Sequence, residues 1–276
     1  MPRQVQYECF LSIRLCPMTL PDTLSSAAMT LTLVVACGVF LIAGVVKGIV
    51  GLGLPTIAMA LLALMMTPAQ AAALLIVPSL ITNIWQIQPW RGLGPIMKRL
   101  APMQVGVFLG TLAGAWVLGP PTGTWAVITL GIALIVYGAW GLRGARPTIV
   151  EAAQRWSGPI VGALTGVVTA ATGVFVIPAV PYLQAIGLAR DELIQAMGIS
   201  FTVSTVALAL GLYINDGYAA GSLGLSLLML VPALVGMQVG QHLRKRLSPD
   251  VFRTCFLVSL VLLGGYMVGQ GALAVP

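Results

Sequence analysis

Charge is kept out of most of this chain, and that constrains its fold more than any motif does. Apolar stretches run at about 27–46, 54–66, 70–87, 100–118, 124–142, 158–172, 174–187, 193–213, 221–242 and 251–272, and nearly every Lys, Arg, Asp and Glu falls between them or at their edges. A helix needs about 20 apolar residues to cross the hydrocarbon of a bilayer. Only 8% of the residues are charged, against about a quarter in an ordinary soluble domain. Such a chain cannot present a soluble surface, so it reads as an all-α polytopic membrane protein. The runs are continuously apolar and do not alternate, which argues against a β-barrel. Six segments read as single spans. Hydropathy that merges the broken segments gives about eight spans, and the helical segments number up to ten.

The net charge of +7 sits mainly in three loops. Loop 88–99 carries Arg91, Lys98 and Arg99; loop 143–157 carries Arg143, Arg146 and Arg155; loop 243–253 carries Arg244, Lys245, Arg246 and Arg253. The positive-inside rule assigns all three to the cytoplasm and leaves no call for a nucleic-acid partner. The expected location is the inner (plasma) membrane, with the lipid bilayer as the obligatory partner and a homo-oligomer left open. The segments at 54–66 and 174–187 are too short to cross on their own. All three loops share one side only if the pair at 158–187 returns to the side it left, as a re-entrant hairpin or as two crossings. The same reasoning makes 27–66 a matching hairpin that starts outside. Two units follow, each a hairpin plus three spans and opposite in orientation, the inverted-repeat plan of many secondary transporters. The domain reading is a tail at 1–26, repeat 1 at 27–142, a cytoplasmic linker at 143–157 and repeat 2 at 158–276. The tail is expected to be disordered, with the true start at Met18 or Met29.

Glycine-rich breaks interrupt both hairpins. The first reads Gly44-Val-Val-Lys47-Gly48-Ile-Val-Gly51-Leu-Gly53-Leu-Pro55, and the second, about 118 residues later, runs from Gly162 through Thr165, Gly166, Thr169, Thr172 and Gly173 to Pro178. An offset of 118 pairs Gly44 with Gly162 and Gly48 with Gly166; an offset of 121 pairs Ser79 with Ser200 and Asn83 with Ser204; Gly110/Gly114 resemble Gly236/Gly240. Broken backbone at membrane depth survives only when buried in protein or lining a cavity. The N–H groups opening the half-helix at Leu54 favour an anion. Lys47 adds positive charge, at about 2.5–3.5 kcal/mol for a charge inside the bilayer. The competing reading has Lys47 snorkelling at a helix end.

Candidate substrate-binding residues are therefore Lys47, Gly48, Gly51 and Gly53 of the first break, and Thr165, Thr169, Thr172 and Gly173 of the second. To these are added Ser79 and Asn83 from the stripe Ser79/Thr82/Asn83/Gln86, and Ser200 and Ser204 with Thr205 beside them. Threonine hydroxyls can donate to an anion's oxygens, or back-bond to their own helix. The polar stripes can line a path, or hold helices together. Gly106/Gly110/Gly114 read as a packing ridge, and His242, the sole histidine, as a surface residue. No metal-ligand spacing, no cofactor motif and no phosphate loop is present, because the Lys-Ser/Thr pair is missing after the glycines. The four cysteines read as free thiols. No catalytic constellation is visible, so the chain is expected not to be an enzyme. None of the acidic residues (Glu8, Asp22, Glu151, Asp191, Glu192, Asp216, Asp250) lies inside an apolar segment, which leaves Lys47 as the one charged candidate in the core.

The paired breaks, together with Ala71-Ala-Ala-Leu-Leu-Ile-Val-Pro78-Ser-Leu-Ile-Thr-Asn83, resemble the TauE/SafE family of sulfite exporters and toluenesulfonate uptake permeases over about residues 30–270. Many members carry consecutive glycines in the first hairpin, where this chain has Gly51-Leu-Gly53. The resemblance implies a bacterial inner-membrane carrier of small sulfur-containing or organic anions such as sulfite or sulfonates, working by alternating access between the two breaks near mid-membrane. The alternative is a non-transporting membrane scaffold or accessory subunit.

Overall fold

The computed structural model describes residues 22–90, 92–144, 148–215, 217, 222–244, 246 and 248–273. Arg91, Arg146 and Lys245 of the basic loops, Asp216, and most of the expected tail lie outside the described residues. By internal contacts the chain divides after Ala36, into Met1–Ala36 and Cys37–Pro276. The described part of the first unit is the opening of one helix that continues into the second, and every contact given below lies within the second.

Ten helices are described: α1 Asp22–Val50, α2 Leu54–Leu62, α3 Pro68–Gln86, α4 Leu93–Leu118, α5 Gly123–Arg143, α6 Glu151–Thr172, α7 Ala179–Ala185, α8 Arg190–Ile214, α9 Ser222–Leu243 and α10 Pro249–Leu273. Among the described residues, seven of these are long and apolar enough to cross a membrane, within the expected range of six clear spans to ten helical segments. The remaining long helix, α6, opens with Glu151, Gln154 and Arg155, and this polar start dilutes its apolar remainder. Helices α4 and α6 each begin seven residues before the expected apolar edge, because their first turns carry the cations of the basic loops. The segment expected at 174–187 is non-helical over its first residues and helical only from Ala179. Helix α1 starts at Asp22, inside the stretch read as tail.

The order is one long helix, one short helix and three long helices, twice over. Close helix approaches repeat in the same pattern. A Cβ on Gly44 would run into the Ala233 carbonyl, and one on Gly162 into the Met103 carbonyl. Gly236 sits on Leu41 and Val45, as Gly106 sits on Pro159 and Ala163. Gly48 packs on Met237 and Gln241, as Gly166 packs on Val107 and Thr111. These pairs align α1 with α6 at an offset of 118 and α4 with α9 at an offset of 130, which also superposes the in-helix prolines Pro102 and Pro232. The glycines equivalent to Gly236/Gly240 are thus Gly106/Gly110, and not the Gly110/Gly114 suggested by sequence. Packing of the ridge is as expected: Gly106, Gly110 and Gly114 all abut α6.

Helices α5 and α10 meet antiparallel through Gly131 and Gly264, each against the other's carbonyl. Gly138 lies on Leu257 and Val261, and Gly271 on Thr124 and Ile128, a reciprocal pattern at an offset of 133. Equivalent helices that run antiparallel about a shared contact are what opposed orientation of two repeats requires.

The second hairpin returns to the side it left. The Ile149 N–H, just before α6, donates to the Ala185 carbonyl at the end of α7 (2.9 Å). The Arg99 guanidinium, at the start of α4, donates to Gln154 of α6 and to the Ile186 carbonyl. At the opposite end the Ala69 N–H donates to the Pro121 carbonyl, joining the α2–α3 and α4–α5 turns. The basic ends of α4 and α6 therefore share one side with the close of the hairpin.

Candidate functional site

The first break forms where α1 runs out of side chains that demand a helix. Gly51 and Gly53 adopt positive φ (81° and 111°), a region that costs other residues about 1–2 kcal/mol. Gly53 is the N-cap of α2 and accepts from the Ile57 N–H; Pro55 follows at the start of the helix, where a missing N–H costs nothing. Gly48 has a different task. Its missing Cβ lets α1 lie against the backbone of α9 at Met237 and Gly240.

That close approach aims Lys47 at α3. Lys47 is only 4% exposed, and its Nζ donates to Thr82 Oγ1 at 3.1 Å and to Asn83 Oδ1. The Thr82 hydroxyl spends its own proton on the Pro78 carbonyl (2.7 Å), so its lone pairs face the ammonium. With its carbonyl oxygen taken by Lys47, Asn83 turns its amide Nδ2 toward Thr205 Oγ1 on α8 (3.5 Å). Thr205 donates in turn to the Phe201 carbonyl at 2.6 Å. A buried cation thus rests on neutral acceptors from α3, and those are braced by α8. A lysine snorkelling at a helix end would be exposed, whereas this one is buried and bonded to protein acceptors.

Pro78 lies inside α3. It cannot donate to the Leu74 carbonyl, so Ser226 of α9 donates to that oxygen (2.8 Å) and accepts from the Val77 N–H (3.1 Å). Sequence reasoning did not single out Ser226. Its only sign was a serine in an apolar run.

Lys47, Gly48 and Gly51 form part of the wall of a cavity of about 600 Å³. Thr82, Trp85, Gln86 and Gln88 come from α3 and the residues after it, and Gln241 and Arg244 from the end of α9. Gln86 is held by donation to the Ile194 carbonyl. Arg244 belongs to a basic loop, so the cavity approaches Lys47 from the cation-rich side. Gln88 and Arg244 were read as loop residues and Gln241 as the end of an apolar segment, and nothing in the sequence brought them to Lys47.

The second break is built differently. Helix α6 runs through Thr172 before Gly173 turns at φ 69°. Thr165, Thr169 and Thr172 donate to the carbonyls of Val161, Thr165 and Val168 at 2.6–2.8 Å, and Thr172 also accepts from the Val174 N–H. Their protons are therefore committed to their own helix. Val174, Phe175 and Val176 are fully buried, and a Cβ on Gly173 would meet Met59 of α2. Ser79, Ser200 and Ser204 are buried on α3 and α8, and their hydroxyls have no hydrogen-bond partner among the described residues; Thr56 on α2 is in the same condition. The structure thus joins Lys47, Gly48 and Gly51 around one cavity, with Asn83 buried behind them as an acceptor for Lys47. Gly53 serves the turn, Thr165, Thr169 and Thr172 bond within α6, and the three serines sit in the α3 and α8 interior. His242 is exposed, as expected, with its Nδ1 against the Gln238 carbonyl.

The profile of the sulfite exporter TauE/SafE family matches residues 36–267. No curated protein and no solved structure matches the chain. With a match over most of its length and an all-helical, multi-span architecture around two broken helices, the chain belongs to the TauE/SafE family of membrane transporters.

Proposed function

We propose that the protein carries a small oxyanion, sulfite or an organic sulfonate, across the inner membrane by alternating access. The observation that carries this reading is Lys47: a buried cation, bound only to neutral acceptors, at the wall of a cavity that approaches from the cation-rich side. An ammonium has three donors. Thr82 and Asn83 take two, and the third is assigned to the substrate. Arg244 and the amides of Gln86, Gln88 and Gln241 draw the anion in, and the N-terminus of α2 at Gly53 adds its dipole. Ser79, Ser200 and Ser204 offer hydroxyls to the anion on its way past α3 and α8, and Gly173 with the threonines of α6 forms the opposing break. The two repeats, 27–142 and 158–276 joined by the linker 143–157, exchange roles when the cavity opens to the other side.

Purified protein in proteoliposomes, challenged with sulfite, sulfonates and carboxylates, tests this reading. Saturable flux of at least one sulfur oxyanion, in preference to carboxylates, is the expected result. Absence of flux for every anion overturns it.

A further inference from the structure

A second basic feature lies away from the cavity at Lys47. The cation-rich ends of α4 and α6 enclose a groove of about 890 Å³ lined by Lys98, Arg99, Pro102, Gln154 and Arg155, with Glu151 the one acid. Arg99 is fixed by Gln154 Oε1 (3.0 Å) and the Ile186 carbonyl (2.7 Å), so the floor is preformed. Lys98 and Arg155 remain exposed on either side.

The faces that continue from this groove are apolar and uncovered. Along α4, positions 98, 102, 105 and 109 follow one another at spacings of four, three and four, so they share one face. Val105 is 58% exposed and Leu109 60%. Along α6, Ile160 (53%) and Leu164 (55%) continue below Trp156, which is itself exposed. Gly106, Gly110, Gly162 and Gly166 bring the two helices into backbone contact, so both outer faces run side by side. Charge at one end with two adjacent apolar tracks beneath matches one ligand chemistry, a phosphodiester with two acyl chains.

We propose that this face binds an anionic phospholipid of the cation-rich leaflet. Its phosphate sits between Lys98 and Arg155, one chain lies on Val105 and Leu109, and the other on Ile160 and Leu164. Basic pockets between membrane helices on the cytoplasmic side are suited to such headgroups, and the exposed Trp156 beside the groove is of a type favoured at the interface. The site is separate from the Lys47 cavity and does not depend on the transport reading.

Native mass spectrometry of the full chain in neutral detergent, with equimolar phosphatidylglycerol and phosphatidylcholine, tests it. Phosphatidylglycerol should be retained in preference, and K98Q/R155Q should bind it at least about tenfold more weakly. R190Q, which removes an exposed cation outside the groove, should bind as the parent does. The single variants K98Q and R155Q, each showing an intermediate loss, keep the reading testable if the double variant does not purify. Equal retention of both lipids, retention undiminished in K98Q/R155Q, or full displacement of the lipid by inorganic phosphate would each overturn the proposal.

Discussion

The two breaks occupy equivalent places in two copies of one scaffold, yet they carry different chemistry. At the first, α1 ends at Val50, two residues beyond the glycine that packs on α9, and holds a lysine against a polar cavity. In the second, the position equivalent to Lys47 is Thr165, and the helix runs about one turn further before Gly173 turns it. Its threonines bond inward, and Val174, Phe175 and Val176 seal the segment that follows. Backbone packing is therefore held in common between the halves, while charge and access are not. The difference teaches that the glycines at the helix crossings answer to the fold, while the proposed function rests on Lys47 and its acceptors.

The largest expected effect tests the shared part. Gly240→Val and Gly110→Val, one in each half, place a side chain against the carbonyls of Val45 and Ala163. Each should cost about 3 kcal/mol or more through overpacking, with similar losses in the two halves by thermal unfolding in detergent. Tolerance in one half alone would break the equivalence. Asn83→Ala comes next. It removes a hydrogen bond to a charged group, worth about 1.5–3 kcal/mol, and should weaken anion flux roughly 10- to 100-fold. Ser204→Ala, its counterpart by sequence, should lower flux by a smaller factor, about threefold, since it removes one neutral hydroxyl offered to the anion and no bond among the described residues. Gly51→Ala meets no atom within 4 Å but must hold φ near 81°, so it should cost about 1–2 kcal/mol through strain alone. The smallest effect is expected for Thr165→Val. The hydroxyl it removes bonds only to Val161 of its own helix, and stability should fall by no more than about 1 kcal/mol, with flux retained.

Much of this was legible in the sequence, for identifiable reasons. Lys47 stood out because a lone cation in an apolar run has a large energetic signature. The second hairpin's return followed from loop charge, and the Ile149–Ala185 bond agrees with it. Asn83 and Thr82 were visible as one stripe at helical spacing, although Thr82 was not ranked with the site. The threonines of α6 could not be resolved, because spacing by three and four serves a ligand and the preceding carbonyls equally well. Arg244 and Gln241 were hidden, since their place beside Lys47 depends on how α9 packs on α1. The glycine register was misread by one turn because glycines recur every four residues on α4, so only the contacts distinguish one turn from the next.

One measurement bears most directly on the central claim that Lys47 is the anion's counter-charge. Sulfite flux should be measured in proteoliposomes for the parent and for Lys47→Gln, a substitution that keeps hydrogen bonds to Thr82 and Asn83 within reach but removes the charge. Loss of flux by at least about tenfold, in protein whose thermal unfolding is unchanged or raised by relief of the buried charge, is the predicted result. Flux equal to that of the parent would contradict it.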